Sequence, residues 1–434
     1  MDQTEGDDRM NQSVGAVLLP WTPGTLDLHQ INTGRGDAAF MIFPDGTTMI
    51  FDCGAQDPTA PRTSSPRNAL AKPSGERAPG EWIARYIEHT HPDGQSSQDG
   101  QSATGRSAAG SSTAGRPAGR RSTHVDYAVL SHFHGDHMGT LSSVSPMSKT
   151  GTYRLTGITE VAEHVTISKV IDRAFPDYDF PAPLLEYPQM ANYKSFLDWH
   201  TDHNGMAVEG IEVGRNDQIV LLKEREAYPE FEVRNIIANG EVWTGVATNT
   251  RHIFPRLEDL DPQDYPSENV CSIGLRISYG RFDYFTGGDM TGVLDLHAPL
   301  WLDVESPAAQ AVGPVEVNVL NHHGHRSAEN EYLVRALRPR VHIIPVWSSD
   351  QPGHDVLRRI LSEKLYPGPR DVFAINVLES NRLVIGDLLD QLKSKEGHIL
   401  VRVEPGGDTY RVIILDDTSE SLKITGIFGP YESR

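Results

Sequence analysis

Three imidazoles and a carboxylate fall within six residues of Ser131-His132-Phe133-His134-Gly135-Asp136-His137-Met138-Gly139. Nitrogen and carboxylate donors at this density suit zinc, with manganese or iron as alternatives, and they supply enough ligands for two divalent ions. The preceding run, Tyr127-Ala128-Val129-Leu130, is apolar and reads as a buried strand, so the cluster sits at a strand end. His132 and His134 are two apart and point the same way while the backbone stays extended. Gly135 then permits a sharp turn that delivers Asp136 and His137 into the neighbouring space. A polar loop with incidental histidines is the bland alternative, and the HxHxDH spacing argues against it.

Other segments extend the pattern. HxHxDH followed by Gly139 resembles the signature of the metallo-β-lactamase fold hydrolases. Leu26 to Ala38 resembles the opening strand of one branch, the hydrolase domain of ComEC-type competence proteins. Ile50-Phe51-Asp52-Cys53-Gly54 resembles the next strand, which ends in Asp-x-Gly, and Phe285-Thr286-Gly287-Gly288-Asp289 resembles the bridging-aspartate motif. Asn321-His322-His323-Gly324 resembles the late His-His-Gly motif. The resemblance implies an α/β fold, the αββα sandwich of two mixed β-sheets with flanking helices, and ligands carried on loops along one edge.

It also implies roles. His132 and His134 would bind a first metal, Asp136 and His137 a second, with Asp289 bridging and His323 completing the second. Asp136 and His322 would be the catalytic pair: Asp136 holds the nucleophilic water, and His322 meets the leaving group or developing negative charge. Asp52 would orient a ligand histidine from behind, and Asn269 with Ser272 matches an Asn-x-x-Ser of the ComEC-like branch. Many relatives carry a further histidine before the bridging aspartate. The candidates here, His164, His200, His203 and His252, sit in no such motif, so the expectation is that this branch lacks it. The branch's Gly-His-Pro is replaced by Gln351-Pro352-Gly353-His354. His325 is expected at the surface, and His29, His89, His91, His297 and His398 as structural or solvated.

Composition bounds the rest. A chain of 434 residues can bury a large core. The acidic start has no secretory h-region, and no apolar run approaches the length of a membrane span, so a cytoplasmic protein with no membrane span is expected. Cys53 and Cys271 read as buried free thiols. The formal net charge of −20 opposes adhesion to nucleic acid or anionic membrane, although metals in a cleft reverse the local potential.

The elements that must position these residues follow from periodicity. Ala38–Phe43 and Thr48–Phe51 flank Pro44-Asp45-Gly46 as a hairpin. An insertion spans about 55–122, with a helix near Glu81–Glu88 and a Gly/Ser/Ala/Gln-rich stretch from Gln95 to Arg121. That stretch contains Arg106, Arg116, Arg120 and Arg121 and reads as a flexible loop. Helical signals at Ile158–His164 and Lys194–His200 mix with strand signals at Asp217–Leu222 and Glu230–Asn235. A second hairpin turns at Tyr279-Gly280-Arg281. Strands at Val315–Leu320 and Val341–Trp347, a helix at Asp355–Lys364, and a terminal β-element follow. The expected organisation is a tail over 1–22, a hydrolase domain over 23–385 and a C-terminal β-element over 386–434.

The expected function is a binuclear metal-dependent hydrolase of a phosphate ester, a phosphodiesterase or nuclease using a metal-bridging hydroxide. Nucleic acid is the leading substrate. Two alternatives differ in kind: a lactonase or β-lactamase-like hydrolase of a cyclic ester or amide, and a metal-bound sensor or partner protein with weak catalysis.

Overall fold

Strands with period-two alternation bury one set of side chains between two layers and hand the other set to covering helices. In Thr48–Cys53, Met49 and Phe51 enter the layer between sheets, while Ile50 meets the outer helices. The computed structural model describes residues 12–95 and 123–434. The first part of the expected tail and the arginine-bearing stretch of the insertion lie outside the described residues.

The strands in chain order are β1 (Leu26–Gln30), β2 (Ala38–Ile42), β3 (Thr48–Cys53), β4 (His124–Val129), β5 (Thr166–Asp172) and β6 (Ala207–Gly210). There follow β7 (Phe231–Ala238), β8 (Glu241–Trp243), β9 (Thr250–His252), β10 (Gly274–Tyr279) and β11 (Phe282–Thr286). The last six are β12 (Val317–Val319), β13 (Val341–Ile344), β14 (Asp371–Ala374), β15 (His398–Val403), β16 (Thr409–Leu415) and β17 (Ile424–Glu432).

They form two mixed sheets. The nine-stranded sheet has the order β17-β16-β15-β1-β2-β3-β4-β5-β6, and the eight-stranded sheet β14-β13-β12-β11-β10-β7-β8-β9. In each, an antiparallel section passes into a parallel one, from β3 to β6 and from β11 to β14. The C-terminal strands extend the first sheet, because β15 pairs along β1 with Leu26 opposite Val403.

The core between the sheets includes Leu28, Met41, Phe51 and Val129 from the first and Leu275, Tyr284, Val319 and Ile343 from the second. Helices Pro79–Thr90 and Pro188–Asn204 cover the first sheet through Ile83, Ile87, Phe196 and Leu197. Helices Glu305–Val312, Glu331–Leu337 and His354–Ile360 cover the second. The fold is therefore an αββα sandwich of two mixed β-sheets with flanking helices. No helix among the described residues is long and apolar enough to cross a membrane. Both cysteines are buried and free.

One expected strand is absent. Residues 217–222 are irregular, because side chains replace a strand ladder there. The Tyr127 hydroxyl donates to Val220 O (3.2 Å), Leu222 N donates to Thr47 Oγ1 (2.8 Å), and Lys223 N donates to Asp45 Oδ2 (2.8 Å).

Candidate metal centre

Parallel strands that start at one edge also end at one edge, which gathers the loops after them. Asp52 lies at the end of β3, Ser131 to His137 follow β4, Asp289 follows β11, and His322 and His323 follow β12. Asn269 to Ser272 precede β10, which runs antiparallel to β11 and so begins at the same edge.

The HxHxDH segment leaves β4 extended and enters the one-turn helix Gly135–Met138. Gly135 makes the turn by beginning that helix. Its missing side chain also makes room for Thr140, whose hydroxyl a Cβ there would strike. Gly54 serves the same purpose against the Asp136 carbonyl. Left-handed backbone occurs at Asp52 (φ 63°) and at both His322 (φ 49°) and His323 (φ 54°). That conformation is costly away from glycine, and it lets two neighbouring histidines approach one carboxylate.

Asp52 is fully buried at 0 % exposure and accepts three hydrogen bonds. Ser131 N donates to Oδ1 at 2.7 Å, Ser131 Oγ to Oδ2 at 2.6 Å, and His137 Nδ1 to Oδ2 at 2.8 Å. With its own proton committed to Asp52, Ser131 Oγ accepts from His132 Nδ1 at 3.1 Å. One carboxylate thereby sets the tautomers of two histidines, and both present an Nε2 lone pair inward.

Those lone pairs meet others. His132 Nε2 lies 3.1 Å from His134 Nδ1, and His137 Nε2 lies 3.2 Å from His323 Nε2. Asp289 stands among them. Its Oδ1 is 3.0 Å from His137 Nε2 and 3.2 Å from His323 Nε2, and its Oδ2 is 3.8 Å from His132 Nε2 and 3.6 Å from His322 Nε2. Asp136 Oδ2 is 3.4 Å from His323 Nε2. Two groups of donor atoms share Asp289, His132, His134 and Asp289, and Asp136, His137, Asp289 and His323, while a third, Asp37, Asp52 and His137, lies behind them. Asp289 Oδ1 is buried without a well-oriented hydrogen bond. Converging lone pairs around such an oxygen fit a cation.

The electrostatics agree. Burial opposes charge on His323, yet the Asp289 carboxylate and a hydrogen bond to Asp136 override it and hold the ring up at about 10. His137 is likewise raised, against its burial, by Asp289 and Asp52. Burial also works against the Asp136 carboxylate, which the His323 hydrogen bond nevertheless brings down to about 2. A field that draws protons onto these nitrogens draws a metal ion to the same atoms. His322 differs: burial lowers it to about 4. Its Nε2 faces the Asn269 amide at 3.3 Å and its Nδ1 faces Ser327 Oγ at 3.0 Å.

Several residues escaped the sequence reading. Asp37 lies 3.9 Å from His323 Nδ1, and burial raises its carboxyl to about 6. Glu268 accepts from Phe133 N (2.8 Å), between two of the histidines, and is clamped by Arg173. Glu329 Oε1 accepts from Asn321 N (3.0 Å), and Glu305 Oε1 accepts from Asn321 Nδ2 (2.9 Å), pinning the strained His322-His323 turn from behind. Acidic residues flanking a motif at long range carry no local signal. Only Glu268, next to Asn269, had one.

Among the described residues, none of His164, His200, His203 or His252 joins the cluster. His200 bonds Tyr153 OH (2.8 Å), and His203 the Trp199 carbonyl (2.9 Å). Gln351 Oε1 accepts from Trp347 N (3.1 Å) and Ser348 N (3.2 Å), shaping a loop whose Trp347 ring centroid lies 6.0 Å from that of His323. His354 only opens a helix. His325 is half-buried against Ser327. His29 and His398 are buried and hydrogen-bonded to Tyr86 OH (2.9 Å) and Asn32 N (3.0 Å).

No family model matches the sequence, and no curated protein matches it. Among solved structures, the chain is similar to CmlA, a diiron β-hydroxylase from Streptomyces venezuelae, with 12% identity and a TM-score of 0.37. The match covers 89% of this chain and 55% of that one, so the chain spans about half of that protein's length.

Proposed function

We propose that the protein is a binuclear metal-dependent hydrolase of phosphate esters, related to the ComEC-type branch. The carrying observation is the pair of lone-pair clusters that share the buried Asp289. In this reading His132 and His134 would hold one ion and Asp136, His137 and His323 the other, with Asp289 within reach of both sets of donors. Zinc suits these donors, with manganese or iron as alternatives. Two such ions supply Lewis acidity to a phosphoryl oxygen and a water ionised near neutral pH.

The chain's own residues do the rest. Asp52 and Ser131 fix the tautomers of His137 and His132. Asp136 is only partly buried, so its carboxylate can both face the cluster and hold a proton of an incoming water. His322, whose Nε2 lies 3.6 Å from Asp289 Oδ2, would meet the leaving group, with Asn269 steadying its ring.

The test is elemental analysis joined to an activity panel on protein reconstituted with zinc and with manganese. Wild type should carry about two ions per chain, and Asp289→Ala should carry one or fewer and lose turnover. Bis(p-nitrophenyl) phosphate should be hydrolysed, and a lactone and a chromogenic cephalosporin left intact. One ion or none in wild type, or turnover of the lactone or cephalosporin alone, would overturn the reading.

A further inference from the structure

A cavity of about 410 Å³ opens between helix Pro79–Thr90, the segment after β3 and the loop after HxHxDH; none of the proposed ligands lines it, and it adjoins their turn through Ala55 and Thr140. Its volume is that of a small-molecule site. One backbone hydrogen bond ties its wall directly to the HxHxDH turn, and two more knit the wall itself. Ala55 N donates to Gly135 O (3.0 Å), Thr140 N to Ala55 O (2.7 Å), and Gln56 N to Arg35 O (2.9 Å). Two residues beyond Arg35, Asp37 N donates to Asp136 O (2.7 Å). The cavity wall and the HxHxDH turn are therefore one hydrogen-bonded unit.

The lining has two characters. Trp82, Ala55, Leu155 and Val144 give it an apolar body. Arg35 and Arg77 give it cations, Arg77 paired with Glu81, and Glu76 adds a carboxylate. The Arg35 guanidinium is half-buried, and its Nη1 donates to the Gly34 carbonyl (3.2 Å) and to the Ala69 carbonyl. Among the described residues no carboxylate pairs with it, and burial alone lowers its pKa. A half-buried arginine without a counter-ion offers unused fork donors to an anion. Glu160, 7 % exposed, also lines it, packed against Gly80, where any side chain would strike its carboxylate. Burial raises its carboxyl to about 7, so at neutral pH it adds less than a full negative charge.

We propose that this cavity binds the organic part of the substrate: a small organic anion, its apolar group lying against Trp82 and Leu155 and its negative charge at Arg35. The proposal rests on the hydrolase reading and narrows it from polymeric nucleic acid to small-molecule phosphate esters. A net charge of −20 supports that narrowing, because a polyanion would have to approach against it, whereas a small anion needs only the local cation.

Binding is measured directly, with 1-naphthylphosphonate as a non-hydrolysable probe and isothermal titration calorimetry on metal-loaded and on chelator-treated full-length protein. Wild type should bind the probe in both forms. Arg35→Gln should weaken binding at least tenfold. Val144→Trp, a substitution at an exposed rim position that fills the mouth, should do the same without touching the core. Circular dichroism and metal content check each variant, and if Arg35→Gln disturbs the fold, Val144→Trp decides. No binding by wild type, or unchanged affinity in the folded variants, overturns the proposal. Binding to chelator-treated protein does not depend on turnover, so failure here and failure of the hydrolase reading give different results: absent or variant-insensitive probe binding in one case, absent hydrolysis in the other.

Discussion

Asp52→Asn isolates the group that orders the metal centre without touching a proposed ligand. The substitution keeps shape, and asparagine tolerates the left-handed backbone found there (φ 63°). It cannot keep the hydrogen bonds. Asp52 Oδ1 accepts from one donor and Oδ2 from two, and an amide has only one acceptor oxygen. If the amide nitrogen faces Ser131 N, two donors oppose each other in a fully buried space, at about 1–3 kcal/mol in stability. If it faces His137, the imidazole must move its proton to Nε2, the atom that points at Asp289. Either way the His137-containing group suffers. Loss of such an orienting partner lowers metal affinity about 10–100-fold, or about 1.4–2.8 kcal/mol. The group containing His132 should change less, because Asp52 reaches it only through Ser131. The assay is competition against a chromophoric chelator, resolving two binding constants, alongside denaturant unfolding of the metal-free protein. Both constants within threefold of wild type would refute the argument that Asp52 sets the histidine tautomers.

Two further outcomes follow from the same geometry. His323 is held protonated in the metal-free protein, so metal binding must displace its proton, and apparent affinity should rise with pH, by up to one decade per pH unit between about 6 and 9. The raised His323 also stabilises the metal-free fold, fully below its unfolded value of about 6.5, and that contribution is lost as pH climbs through about 10. Affinity flat with pH in weakly buffered titrations would contradict this. Glu268→Gln should cost about 3–5 kcal/mol in denaturant unfolding, because Arg173, 0 % exposed, loses its only close carboxylate among the described residues. Adding Arg173→Met should restore most of the loss, and a double variant no more stable than the single would exclude the ion pair as the cause.

What the sequence determined by itself was local. The apolar run Tyr127–Leu130 and the two-residue spacing of His132 and His134 place donors at a strand end, because side-chain direction in an extended chain alternates with period two. The hairpins around Pro44-Asp45-Gly46 and Tyr279-Gly280-Arg281 were equally legible, since turn residues and alternation lie within ten positions of each other. Residues 217–222 show the limit: their alternation resembles a strand, but their backbone partners are side chains from Asp45, Thr47 and Tyr127, which no local pattern reveals. Only the tertiary structure decided how the donors divide into two groups around Asp289. It also decided that Asp52 governs a histidine 85 residues away, and that Glu268 meets Arg173 across 95 residues. The left-handed turn at His322 and His323, and the uncompensated Arg35 beside the cavity, belong to the same category. Their cause is the packing of two sheets face to face with their strand ends at one common edge, which brings those ends together irrespective of their distance along the chain. A sequence records which groups can pair, whereas burial and the approach of other chain segments determine which of them must.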